Sequence, residues 1–143
     1  MIFQLGQFIL DVDVEQTRLC YEKQKLIIDD CGCDGCKNYY LAYEFFPDTV
    51  KALFRKLGIN GKKPYDAYVN CHECEEKKCF YGGMYFLCGT VKHVMPTFHD
   101  SIFFEIEKGY SVSFDTGDRI KDSSYFTYPT VVMEIAFHIP WVL

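Results

Sequence analysis

Basic residues are in short supply in this sequence. The 143-residue chain carries 15 Lys and Arg against 20 Asp and Glu, a net charge of −5. Nucleic-acid affinity rests largely on clustered Lys and Arg that release counterions from phosphates. The two densest basic stretches, "RKLGINGKK" and "EEKKC", are short, and the second is offset by its own glutamates. Long apolar runs are lacking too. The opening "MIFQLGQFILDVDVE" has no basic segment ahead of it and no small-residue cleavage site. It meets Asp11 and Asp13 well before the roughly 20 apolar residues that a membrane-spanning helix needs. No internal repeat, linker or low-complexity tract interrupts the chain. These absences predict one cytoplasmic domain over residues 1–143, with neither a nucleic-acid nor a membrane partner.

What is abundant is aromatic: 13 Phe and 11 Tyr within a 17% aromatic share. Such residues suit half-buried pleated surfaces and favour a β-rich core. From Phe8 the chain alternates with period two through Val14, and "TRLCYEKQKLIIDD" reads as a partner strand, so a hairpin is expected to open the protein. A helix follows, capped by Asp34 and running to Pro47. In "PDTVKALFRKLGI" the residues Val50, Leu53, Phe54 and Leu57 recur at helical spacing, Pro47 suits the first turn, and Gly58 suits the position just past the last. Period two then returns in "YDAYVN", "FYGGMYFLCGTVKHV", "SIFFEIEKGYSVSF", with a turn at Lys108-Gly109, and "TVVMEIAFHIP". The expected fold is α+β: a mainly antiparallel sheet of about six to eight strands carrying two consecutive helices on one side.

Eight cysteines stand at 20, 31, 33, 36, 71, 74, 79 and 88. Cys20 and Cys88 have apolar neighbours in strand-like segments and read as small core residues. The rest form two clusters, "CGCDGC" and "CHECEEKKC". Two Cys-x-x-Cys pairs are what a tetrahedral zinc ion needs, because each contributes two thiolates through a tight turn. The expectation is a structural zinc ion on Cys33, Cys36, Cys71 and Cys74, with Cys31, Cys79 or His72 as substitute ligands. Reduced thiols without a shared role are the bland reading. A redox reading of Cys33-Asp-Gly-Cys36 at a helix start lacks the βαβ surroundings of a thioredoxin-like domain.

"SFDTGDR" holds the Asp-Thr-Gly tripeptide of aspartic proteases, but the bracing segment such a site needs does not follow, and a polar turn is the better reading. His72, His93, His99 and His138 are scattered, and none sits in a recognisable triad spacing. Taken together, "CGCDGCKNY", "FPDTVKALFRKLGI", "YGGMYFLCGTV" and the terminal "IPWVL" make the chain resemble a family of small uncharacterised bacterial proteins. In that family the first cysteine cluster and the glycine-aromatic strand recur, whereas "CHECEEKKC" departs from its pattern. The resemblance implies this fold layout and a bacterial cytosolic setting, and it carries no activity. The functional expectation is a small non-enzymatic interaction protein, of immunity or antitoxin type, whose acidic balance complements a basic protein partner. The alternatives are a metal- or thiol-dependent enzyme using Cys31, Cys33 and Cys36, and a small-ligand binder using the aromatic sheet.

Overall fold

A computed structural model of the chain describes residues 1–75, 78–97, 101–117, 126 and 129–143; for residues 70–75 it describes the backbone alone. A hairpin does open the protein, but an earlier and shorter one than the alternation predicts: β1 (Ile2–Leu5) pairs with β2 (Phe8–Val12) across a turn where Gly6 takes a φ of +53°. The segment expected to be its partner strand is helix α1 (Val14–Lys23), followed by the single turn α2 (Ile27–Asp30). Asp13 is the reason. Its carboxylate accepts the Gln16 N–H at 3.0 Å, an N-cap that ends the strand and starts the helix. Cys20 is therefore a core residue on a helix, not on a strand.

Helix α3 spans Asp34–Ala42 and passes through a 3₁₀ turn (Tyr43–Phe45) before Pro47 caps α4 (Asp48–Leu57). Val50, Leu53, Phe54 and Leu57 are all buried, as their spacing predicts. Gly58 closes α4 in the left-handed conformation at φ +82°, and Ile59 donates its N–H back to Phe54 O at 2.9 Å. Five more strands follow: β3 (Asp66–Glu75), β4 (Lys78–Val94), β5 (Phe104–Glu107), β6 (Tyr110–Thr116) and β7 (Thr130–Pro140). The seven-stranded antiparallel sheet runs β1-β2-β4-β7-β6-β5, with β3 also on β4. It curls over the core until Phe8 of β2 meets Phe114 of β6, ring centroids 5.2 Å apart, although β4 and β7 lie between those strands.

The long strand β4 shares one edge between two partners, β3 along Lys78–Met84 and β2 from Gly89 onward. Helix α1 fills the gap with side chains. The Tyr21 hydroxyl accepts the Phe86 N–H at 3.0 Å and donates to Phe86 O at 2.8 Å, while Thr17 Oγ1 accepts the Cys88 N–H at 3.0 Å and donates to Asp13 O at 2.7 Å. Both residues are buried, so these bonds satisfy backbone groups that a missing strand would leave unpaired. Thr17→Val keeps the shape and removes the acceptor; we expect a loss of about 2 kcal/mol, read as a lower urea midpoint with an unchanged slope.

Between helices and sheet lies an aromatic core. Phe54 packs on Tyr85 and Phe137, and Tyr39 on Phe46 and Tyr81. Tyr85 donates its hydroxyl proton to Gly61 O at 2.7 Å, which leaves Tyr39 as the donor in the Tyr39–Tyr85 hydroxyl bond. Val131, Met133, Ile135, Phe137 and Ile139 of β7 line this core, as the alternation predicts, with Glu134 and His138 exposed on the other face. Among the described residues no helix is long and apolar enough to cross a membrane.

Candidate metal centre

The first cysteine cluster occupies the joint between α2 and α3. Ile27 buries α2 in the core and donates its N–H to Lys62 O at 3.0 Å, and the Cys31 N–H closes the turn onto Ile27 O at 3.0 Å. Gly32 then carries the chain to Cys33, whose sulfur accepts the Cys36 N–H at 3.4 Å. Cys33, and not Asp34, is the N-cap of α3. A thiol one position earlier wins because its sulfur lies over the third N–H of the helix, where a cap has to reach.

The first turn of α3 is held from below by groups far away in sequence. Tyr81 of β4 donates its hydroxyl to Gly35 O at 2.8 Å. Asn38, wholly buried, donates Nδ2 to the Tyr81 hydroxyl at 3.3 Å and to Pro140 O at 3.2 Å; its Oδ1 accepts the N–H groups of Val142 at 2.7 Å and Leu143 at 3.2 Å. One amide thus ties α3 to β4 and to the C-terminal segment. Sequence reasoning assigned Asn38 and Tyr81 no role. An asparagine followed directly by two tyrosines near the start of a helix was the signal that could have marked it as a buried hydrogen-bonding hub.

On this support the sulfurs of Cys31, Cys33 and Cys36 lie within 4.8 Å of one another, and those of Cys31 and Cys33 only 3.3 Å apart. Cys33 is exposed and Cys36 is buried. A tetrahedral zinc ion with Zn–S near 2.3 Å sets sulfurs roughly 3.8 Å apart, a spacing these three reach with small side-chain rotations. The N–H of Cys36, and next the Cys31 thiol, hold the Cys33 thiol below its ordinary range. Burial pushes the Cys36 thiol well up, and its two sulfur neighbours add to that. A bound cation reverses the second effect, because a coordinating thiol is deprotonated outright.

Of the other expected ligands, Cys79 is buried at the start of β4 and is not one of the gathered sulfurs. The backbone of residues 71–74 belongs to strand β3. The side chains of Cys71, His72 and Cys74 lie outside the described residues, as does His99. Among the described residues, His93 and His138 join no group of three ligand-type side chains. Asp115 and Thr116 are the last two residues of β6, paired with Val132 and Val131, and the Asp115 carboxylate accepts the Thr116 N–H at 2.7 Å; the stretch from residue 118, where a polar turn is expected, lies outside the described residues.

Comparison of the chain with protein-family models, curated proteins and solved structures finds no match. The reading of this site therefore rests on its own chemistry.

Proposed function

We propose that the protein is a small non-catalytic interaction protein whose α2–α3 joint is organised by a zinc ion on Cys31, Cys33 and Cys36. The observation that carries this is the convergence of three sulfurs within 4.8 Å on a rigidly supported helix end. Thiolate sets of this kind favour zinc among the abundant divalent ions. Helix α3 packs beside β3, and a Cβ at Gly35 would stand 3.5 Å from Val69 Cγ2. Cys71 follows Val69 by two residues and Cys74 by five along the same strand, which makes them candidates for a fourth thiolate.

The interaction half of the reading draws support from the outer face of the same helix. From Cys33 a stripe at intervals of four runs through Lys37 and Leu41 to Phe45, with Leu41 43% and Phe45 66% exposed. Adjacent exposed apolar side chains are the usual mark of a docking surface. With a net charge of −5 the complementary partner is a basic protein, which fits an immunity- or antitoxin-like role. The test is a zinc titration of reduced, metal-free protein against a chromophoric chelator. We expect one zinc per chain, and at least a hundredfold weaker binding in Cys36→Ser. An equal loss in Cys71→Ser or Cys74→Ser identifies the fourth ligand. Zinc binding unchanged in the triple variant Cys31→Ser/Cys33→Ser/Cys36→Ser would refute the reading.

A further inference from the structure

The metal reading uses the cluster as a clamp and leaves its asymmetry unexplained. Cys33 is exposed, receives a backbone N–H on its sulfur and heads a nine-residue helix. Its nearest sulfur neighbour, Cys31, is likewise at the surface, 3.3 Å away. A disulfide requires about 2.05 Å between sulfurs, so closure asks each to move by well under an ångström. Gly32 stands between them in open space, where a Cβ would find no atom within 4 Å. Nothing packed against that residue opposes the adjustment. Cys36, by contrast, is buried beneath the pair.

We propose that the metal-free cluster is a thiol–disulfide exchange site for small-molecule disulfides, with Cys33 as the attacking sulfur and Cys31 as the resolving one. The Cys33 thiolate attacks one sulfur of the disulfide RSSR. The substrate S–S bond breaks, RS⁻ leaves and takes a proton from water, and a Cys33–S–S–R mixed disulfide forms. Cys31 then gives its proton to water and attacks Cys33 Sγ, expelling the second RS⁻. Two electrons pass from the protein to the substrate, which ends as two RSH while Cys31 and Cys33 end as a disulfide. The buried Cys36 takes no part. The proposal shares its residues with the zinc reading but not its premise, since zinc on these sulfurs blocks the exchange.

The experiment incubates reduced, zinc-free protein with oxidised glutathione at neutral pH and follows products by intact mass and peptide mapping. Wild type should gain a Cys31–Cys33 disulfide and consume oxidised glutathione at a rate at least tenfold above that of Cys33→Ser. Serine is itself a good N-cap, so this variant keeps the helix start intact, and far-UV circular dichroism checks it. Cys31→Ser should stop at a mixed disulfide on Cys33. A glutathione adduct on Cys31 first, a Cys33–Cys36 product, or an undiminished rate in Cys33→Ser would overturn the assignment. Exchange lost with zinc titration intact strikes this proposal alone; zinc binding lost with exchange intact strikes the metal reading alone.

Discussion

Raising the pH above about 10 is expected to unfold the protein in one cooperative step, with its tyrosines ionising as it opens. Burial holds the phenols of Tyr21, Tyr39 and Tyr85 above their ordinary value of 10.0. Burial also pushes Tyr81 up to about 12. A phenol carries charge only after losing its proton, so a raised folded-state value means that the native state keeps protons the unfolded chain gives up. The stability tied to these protons is fully present below pH 10 and is lost as the pH rises toward the folded-state values. Each such group withdraws about 1.4 kcal/mol per pH unit over that window. Three of them withdraw about 4 kcal/mol per unit, so roughly two units remove about 8 kcal/mol, as much as a domain in the lower half of the ordinary 5–15 kcal/mol range has. Tyrosinate absorbance and far-UV circular dichroism should therefore change together, with a midpoint at about pH 11 to 12. Ionisation of all 11 tyrosines near pH 10 while the dichroism stays constant would contradict the buried placement of Tyr21, Tyr39 and Tyr85. Tyr39→Phe should shallow the pH dependence, because it removes one of the three protons.

Asn38→Leu is expected to cost about 3 kcal/mol and to release the C-terminal segment. The substitution preserves volume but strips four hydrogen bonds, two donated by Nδ2 to the Tyr81 hydroxyl and Pro140 O, and two accepted by Oδ1 from the Val142 and Leu143 N–H groups. Pro140 O and the Tyr81 hydroxyl then lose a buried partner, at roughly 1–3 kcal/mol for each group left unsatisfied. Val142 and Leu143 are half exposed, so their freed N–H groups reach water once the segment lifts away. Denaturant unfolding gives the stability, and carboxypeptidase trimming of residues 141–143 gives the release. Asn38→Asp separates the two effects: it keeps both acceptor bonds while losing the donated pair. The segment should then remain protected although stability falls. Equal trimming of Asn38→Leu and wild type would contradict the role assigned to this amide.

The contrast between α4 and α1 explains which parts of the fold were legible. Helix α4 buries four apolar side chains at helical spacing and stops on a glycine, so its periodicity and its end are both written locally. Helix α1 turns Thr17, Cys20 and Tyr21 inward, and two of the three are there to hydrogen-bond the edge of β4. Hydropathy does not register a helix whose buried face serves a strand edge 65 to 71 residues away. The Asp13–Gln16 cap was the local cue, and it was masked by the alternation running into it. The candidate site divides the same way. Cys31, Cys33 and Cys36 fall within six residues, so their convergence follows from a turn and a helix start. What steadies them is non-local: the Tyr81 hydroxyl on Gly35 and the C-terminal segment on Asn38, more than 100 residues along the chain. Those partnerships exist only once β4 and β7 lie side by side.

The proposed function requires that Cys31, Cys33 and Cys36, whose sulfurs gather within 4.8 Å, hold a metal ion. The most direct test is native mass spectrometry with elemental analysis on protein purified under reducing conditions without a metal-affinity tag. The account predicts one zinc per folded chain, absent from Cys33→Ser and Cys36→Ser purified in the same way. A chain that leaves the cell folded, metal-free and with all eight thiols reduced, and that stays metal-free when zinc is supplied, would contradict it.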